Sequence, residues 1–213
     1  MIAYKFLERG RIARFSGREW PKSGWLETEG ELRECRNGIH ACRVDDLSYW
    51  LGEELWEVEL AGKVIPGKLK LVAERGRLCA RVDGWDDVAQ AEFARECVRR
   101  VAKHASDELR EAGVEDDADA LGGAPDLDAI AAAAAAAAKA AEDADARVAE
   151  RLAGYAADAV AWATEYPPSG VAFVAAYAAQ ARSNHPDVDP FAAERAEQAR
   201  WLADRLVLSR DGA

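Results

Sequence analysis

Between residues 126 and 208 the chain is written largely in one letter. The segment "LDAIAAAAAAAAKAAEDADARVAERLAGYAADAVAWATEY" contains the unbroken run Ala131–Ala138, and "SGVAFVAAYAAQARS" and "DPFAAERAEQARWLADRLVL" continue the pattern. Alanine has the highest helix propensity, so this composition confines the region to helices. Its methyl group buries little apolar area, so the helices gain stability only by packing closely. The larger side chains Tyr155, Trp162, Phe173, Tyr177, Phe191, Trp201 and Leu206 are expected to anchor a small bundle. The last helix is predicted to start with Asp189 as cap and Pro190 at the first helical position. "YPPSG" and "SNHPDVDP" are expected to separate the helices. The alanine run itself fits a solvent-exposed helix or a flexible connector.

The first 85 residues follow a different grammar. They hold five of the seven tryptophans and short apolar runs broken by glycine and proline. "IAYKFL", "GIHAC", "LWEVELAG", "KLKLVAERG" and "LCARV" read as strands. In "LWEVELAG", Trp56, Val58 and Leu60 alternate with Glu57 and Glu59, so the two sets occupy opposite faces. "VDDLSYWL" has helical spacing through Val44, Leu47 and Leu51, and Asp45–Asp46 suits a helix N-terminus. From Asp86, a plausible N-cap, "DDVAQAEFARECVRRVAKHASDELREA" places Val88, Phe93, Cys97, Val101 and Leu109 near one stripe. The reading is therefore α+β: a small mixed or antiparallel sheet in residues 1–85, a connecting helix over 86–112, an acidic linker over 113–125 and an alanine-rich helical bundle over 126–208.

Charge is distributed unevenly. Residues 1–110 carry 20 basic and 20 acidic side chains, whereas residues 111–213 carry 8 and 19, which accounts for the net charge of −11. An acidic half repels phosphate-rich surfaces, so nucleic acid and membrane are poor partners, and a basic protein or a second copy suits the helical region better. One stretch runs the other way: Arg9, Arg11, Arg14, Arg18 and Lys22 surround a single acid, Glu19, and form either a solvated loop or an anion subsite. The N-terminus lacks a basic segment followed by an apolar run, and no long stretch of bulky apolar residues is present. Four cysteines do not suggest a secreted disulfide scaffold, so the expectation is a cytoplasmic protein with reduced thiols.

Four chemistries compete for the N-terminal region. Cys35, His40 and Cys42, with Cys79 as a fourth donor, offer zinc ligands. His40 and Cys42 sit about 7 Å apart on one strand face, but the tight Cys-x2-Cys knuckle favoured by structural zinc is missing, which weighs against zinc. A Cys–His nucleophile pair lacks any glycine-flanked elbow, and His104 and His185 fall in the helical region. Glu57 and Glu59 share a face that suits either acid–base work or solvent. No phosphate-binding loop of the P-loop or dinucleotide-fold type is present.

"GIHACRVDDLSYWLGEELWEVELAG" resembles the central segment of ADP-ribosyltransferases of the poly-ADP-ribose-polymerase type. Gly38, Ile39, Ala41, Tyr49, Glu57, Val58, Leu60 and Gly62 stand in comparable places, with His40 where that family has tyrosine. "AYKFL" resembles the opening strand, with Tyr4–Lys5 at the pair that grips NAD. "KLKLVAERGRLCARV" resembles the strand–turn–strand that bears the catalytic glutamate, but register puts Lys68 or Leu69 at that position, with Glu74 six residues on. The chain also resembles, over most of its length, a family of uncharacterised actinobacterial proteins. Its C-x-x-G-I-H-A-C hallmark is shared with a broader domain family that includes phage proteins. The transferase resemblance implies a cleft binding NAD, another nucleotide or a related anionic small molecule. His40 and Tyr49 would be its catalytic candidates, and Tyr4, Lys5, Arg9 and Arg11 its ligand-binding candidates. The conventional glutamate is missing, so stabilisation of an oxocarbenium-like transition state has no carboxylate to rest on. The competing expectation is a non-catalytic interaction module that uses the acidic helical region.

Overall fold

The computed structural model describes residues 1–165, 168–182 and 189–209. It is α+β, as the two grammars predict. One compact unit comprises Met1–Ala89 with the C-terminal segment from Ala196, and the other comprises Gln90–Arg195.

The first unit is built on a five-stranded antiparallel sheet of β1 (Ile2–Leu7), β2 (Leu26–Glu27), β3 (Ile39–Ala41), β4 (Glu54–Pro66) and β5 (Leu71–Arg81). β1 pairs β4, with Ile2 opposite Glu59 and Leu7 opposite Glu54, and β4 pairs β5. The far edge of β5 takes β3 at Leu71–Ala73 and β2 at Arg75–Gly76. Cys42, just beyond β3, then bonds back to β1: Tyr4 N donates to Cys42 O at 2.9 Å, and Cys42 N to Tyr4 O at 2.7 Å. The strands thereby run round a closed circuit, β1–β4–β5–β3–β1. Alternation sends Ala3 and Leu7 of β1, Ile39 and Ala41 of β3, Val58 and Leu60 of β4 and Leu71, Ala73 and Leu78 of β5 into one core, together with Trp20 and Leu26.

Two sequence expectations change here. "KLKLVAERG" and "LCARV" are one continuous strand, β5, rather than two strands about a turn. Gly76 at its centre marks a close approach, since a Cβ there would come within 2.5 Å of Ile39 Cγ2. β2 had no sequence signal, being two residues long. The segment "VDDLSYWL" is helical as expected, but as a 3₁₀ turn over Val44–Tyr49, with Val44, Leu47 and Leu51 buried.

The second unit contains most of α1 (Asp87–Glu111), α2 (Glu115–Gly122), α3 (Leu127–Asp143), α4 (Arg147–Glu165), α5 (Pro168–Arg182) and the start of α6 (Pro190–Leu206). The Asp86 and Asp189 side chains accept from Ala89 N and Ala192 N, as N-caps do. Phe93, Cys97, Val101 and Leu109 are buried on α1, but Val88 is 60% exposed. The acidic stretch expected as a linker holds α2, because Ala118 and Leu121 give it an apolar side to bury. The alanine run is neither a free helix nor a connector: Ile130, Ala134, Ala137 and Ala141 of α3 are buried.

The expected anchors do not fill this core. Trp162, Phe173 and Tyr177 are 41%, 39% and 50% exposed, while Ala149, Ala153, Ala156, Ala159, Ala172, Ala175 and Ala176 are buried. Methyl groups let helix backbones approach closely, and rings placed between them would force the helices apart. The first part of α6 is tied to α1 by a charge pair, since Arg100 grips the buried Glu194 through two bonds of 2.6 and 2.8 Å. His185, the separator "SNHPDVDP" up to Val188, and Tyr166–Pro167 of "YPPSG" lie outside the described residues. No described helix is long and apolar enough to cross a membrane.

Candidate functional site

The circuit of strands closes between β1 and β3, and two of the candidates, Lys5 and His40, meet there. After the Tyr4–Cys42 pair, antiparallel register would next bring Phe6 against His40. Among the described residues that pair makes no backbone bond. The His40 carbonyl instead accepts from Lys5 Nζ at 2.7 Å. Lys5 shares the inward face of β1 with Ala3 and Leu7, so its stem runs along the core and its ammonium sits 5.3 Å from the Trp20 ring centroid. Burial, reinforced by the nearby Lys70 cation, pulls its pKa down to about 8. No carboxylate lies within ion-pair distance of it among the described residues.

His40 is half-buried on β3, and its Nε2 accepts from Cys35 N at 3.2 Å, which puts the neutral ring's proton on Nδ1. Burial and then the Lys70 and Lys5 cations push its pKa below the usual histidine range, so the ring is neutral at physiological pH. Lys70, at the end of the β4–β5 hairpin, donates to Cys35 Sγ at 3.0 Å, lies 3.8 Å from Glu34 and sits 4.7 Å from the centre of the Trp50 ring. Trp50 is held by its indole N–H on the Leu69 carbonyl, and Phe15, 86% exposed, meets it edge-on. Cys35 itself is exposed and has a left-handed backbone, φ 61°.

The other predicted residues are placed differently. Tyr4 points to the opposite face from Lys5, is 3% exposed, and donates its hydroxyl to Ser209 O at 3.2 Å; burial is the main cause of its raised pKa. Tyr49 is half-buried at the end of the 3₁₀ turn. Arg9 pairs with Glu53 on the surface, and Arg11 donates to the Trp20 carbonyl and Glu19, so it fastens the loop carrying Trp20. Structure therefore brings Lys5 and His40 together and leaves Tyr4, Arg9 and Arg11 outside the cluster.

The acidic and metal candidates are occupied too. Glu59 pairs with Arg77, and Glu74 accepts from Lys63 N at the bulge where Gly62 adopts φ 74°. Cys42 is buried beside Tyr4 O with its thiol pushed up to about 12 by burial. Among the described residues no group of three or more His, Cys, Asp or Glu side chains is placed to hold a metal ion.

Lys70, Cys35, Trp20 and Trp50 are the members that local sequence reasoning missed. They meet only because the circuit closes, so no spacing along the chain marks them. Elsewhere, a cavity of about 460 Å³ in the helical unit is lined by Arg99, Lys103, Asp107, Arg110, Leu121 and Ile130. Lys103 and Arg110 pair there with Asp107, and Arg110 also with Asp119, so most of its charge is engaged within the helical unit.

Residues 1–90 match the model of a family described as a domain of unknown function, DUF7666. The DUF7666 match takes in all five strands and the Lys5–His40–Lys70 cluster. No curated protein and no solved structure matches the chain.

Proposed function

We propose that the N-terminal unit binds a small molecule bearing a phosphate or carboxylate at the Lys5–Lys70 cluster, with a nucleotide as the leading class. The observation that carries this is Lys5, an inward-facing ammonium with a backbone carbonyl for acceptor and no carboxylate counter-ion among the described residues. An anion would neutralise Lys5, with Lys70, whose own carboxylate partner Glu34 lies 3.8 Å away, as a second cation nearby. Trp50 and the exposed Phe15 offer aromatic surface for a base or nicotinamide ring. The transferase resemblance makes NAD and ADP-ribose the first ligands to test. With Glu59 and Glu74 engaged elsewhere, the reading favours binding, or chemistry other than standard ADP-ribosyl transfer.

Cys35 supplies the test. It touches Lys70 and is exposed, whereas the exposed Cys79 lies outside the cluster, its thiol 3.9 Å from the Arg77 carbonyl. ADP-ribose at saturating concentration is expected to slow iodoacetamide alkylation of Cys35 by about fivefold or more and leave Cys79 unchanged, while Cys42 and Cys97 resist through burial. Equal rates with and without ligand, together with no titration heat for ADP-ribose, NAD or inorganic phosphate, would remove the reading.

A second reading, a protein-interaction module, draws on Phe173 and Tyr177, which lie half out of an acidic helical unit and contact Phe191 at 6.2 and 5.2 Å. If they dock a second copy, a Phe173→Ala/Tyr177→Ala protein would lose concentration-dependent association in sedimentation. A wild-type chain that stays monomeric throughout would count against self-association.

A further inference from the structure

We infer that Lys5 is a nucleophilic amine that condenses with an aldehyde or ketone of a small anionic molecule to form an imine. The inference rests on the anion-binding reading above and adds a covalent step to it. Three geometric facts support it. Lys5 projects from β1 on the face that Ala3 and Leu7 bury, so its amine is shielded from bulk water. Its acceptor is the His40 carbonyl, a group that satisfies a neutral amine as well as an ammonium. No carboxylate among the described residues pairs with it; its surroundings are the Trp20 ring, whose centre is 5.3 Å from the nitrogen, and the nearby Lys70, which is itself 3.8 Å from Glu34.

Desolvation and a neighbouring cation are the two means by which proteins expose a lysine lone pair at neutral pH. A pKa of about 8 against the ordinary 10.5 raises the free-amine fraction at pH 7 about 300-fold. Burial is the main cause of the shift; the ionisable groups around Lys5 are Cys42 and Lys70, with Glu34 paired to Lys70.

The step balances without an oxidant. The neutral Nζ adds to the carbonyl carbon and gives a carbinolamine. The former carbonyl oxygen takes a proton from solvent and leaves as water, and a C=N bond to Nζ remains. Lys70 would hold the phosphate or carboxylate of the same molecule, which aligns the carbonyl on Lys5. His40 meets the amine through its backbone carbonyl, while its ring is held by Cys35 N–H.

The test uses the full chain and pyridoxal 5′-phosphate, an aldehyde that also carries phosphate. Adducts are trapped with cyanoborohydride at pH 7 and mapped by peptide mass spectrometry over a time course. Lys5 is expected to label at least about tenfold faster than the exposed Lys22, Lys63 and Lys139, with inorganic phosphate slowing Lys5 alone. A Lys5→Arg chain, which keeps the cation and the bond to the His40 carbonyl, is expected to lose the fast adduct. Labelling of Lys5 no faster than the exposed lysines would overturn the inference whatever the variant does. Protection of Cys35 by phosphate or ADP-ribose without an adduct on Lys5 would overturn the imine and leave the anion site standing. Failure of both would remove the two together.

Discussion

Replacing Lys5 by methionine isolates the cost of holding an ammonium inside the strand circuit. Methionine keeps the unbranched stem and removes the charge. Below pH 8 both the folded and the unfolded chain carry the Lys5 proton, and the fold bears the full cost of the buried charge. Between pH 8 and 10.5 the folded lysine loses its proton first, so the unfolded chain binds more protons and wild-type stability rises with pH. A pKa of about 8 against 10.5 is worth about 3 kcal/mol. About 2.5 kcal/mol of that falls between pH 7 and 10 on the linkage relation. The Lys5→Met chain has no such component. Unfolding in guanidinium chloride, followed by tryptophan fluorescence, reports chiefly on the N-terminal unit, since residues 1–85 hold five of the seven tryptophans. The stability of wild type minus Lys5→Met is expected to rise by about 2.5 kcal/mol from pH 7 to 10. A difference flat to within about 0.5 kcal/mol across that range would show that Lys5 is not desolvated and would refute the reasoning.

Two further outcomes follow from packing and charge. Gly38→Ala places a methyl at φ 133°, where it overlaps Val72 Cγ1 of the buried strand β5, and is expected to cost about 2–4 kcal/mol in the same fluorescence assay; a loss under about 1 kcal/mol would mean that β3 shifts freely. Glu194→Gln removes the carboxylate gripped by Arg100 and is expected to cost about 3 kcal/mol, read as an earlier loss of far-UV helical signal with no change in Lys5 labelling; an unchanged transition would show the pair to be superficial.

The sheet is legible where side chains alternate. "IAYKFL" and "LWEVELAG" carry their partnership in period-2 patterning, and β1 and β4 follow. Local grammar misreads a residue such as Gly76 as a turn former wherever a tertiary contact sets its role; a single methyl-sized clash with Ile39 explains that glycine. The helices are legible from alanine, but which side they bury is not. Propensity says nothing about the space between helices, and the habit of placing aromatics inside fails when the facing surfaces are themselves alanine. At the candidate site, His40 and Lys5 are visible as residue types. Their company is not, because Lys70, Cys35 and Trp20 reach them across a closure between residues 4 and 42.

The Tyr4 hydroxyl bound to the carbonyl of Ser209, 205 residues away, sets a schedule for biosynthesis. β1 precedes by about two hundred residues the segment that completes its cover. β1 waits for β4, some fifty residues behind it, and the segment from Ala196 arrives only after the whole helical unit has been threaded out. At about 5–20 residues per second, those intervening hundred-odd residues take roughly 5–20 s. During that interval Tyr4, on the outer side of β1, lacks the segment that accepts its hydroxyl and stands open to chaperones or to a neighbouring nascent chain. The helical unit is thus a delay line, and a fragment ending at residue 90 would hold every strand yet leave the Tyr4 hydroxyl without its partner.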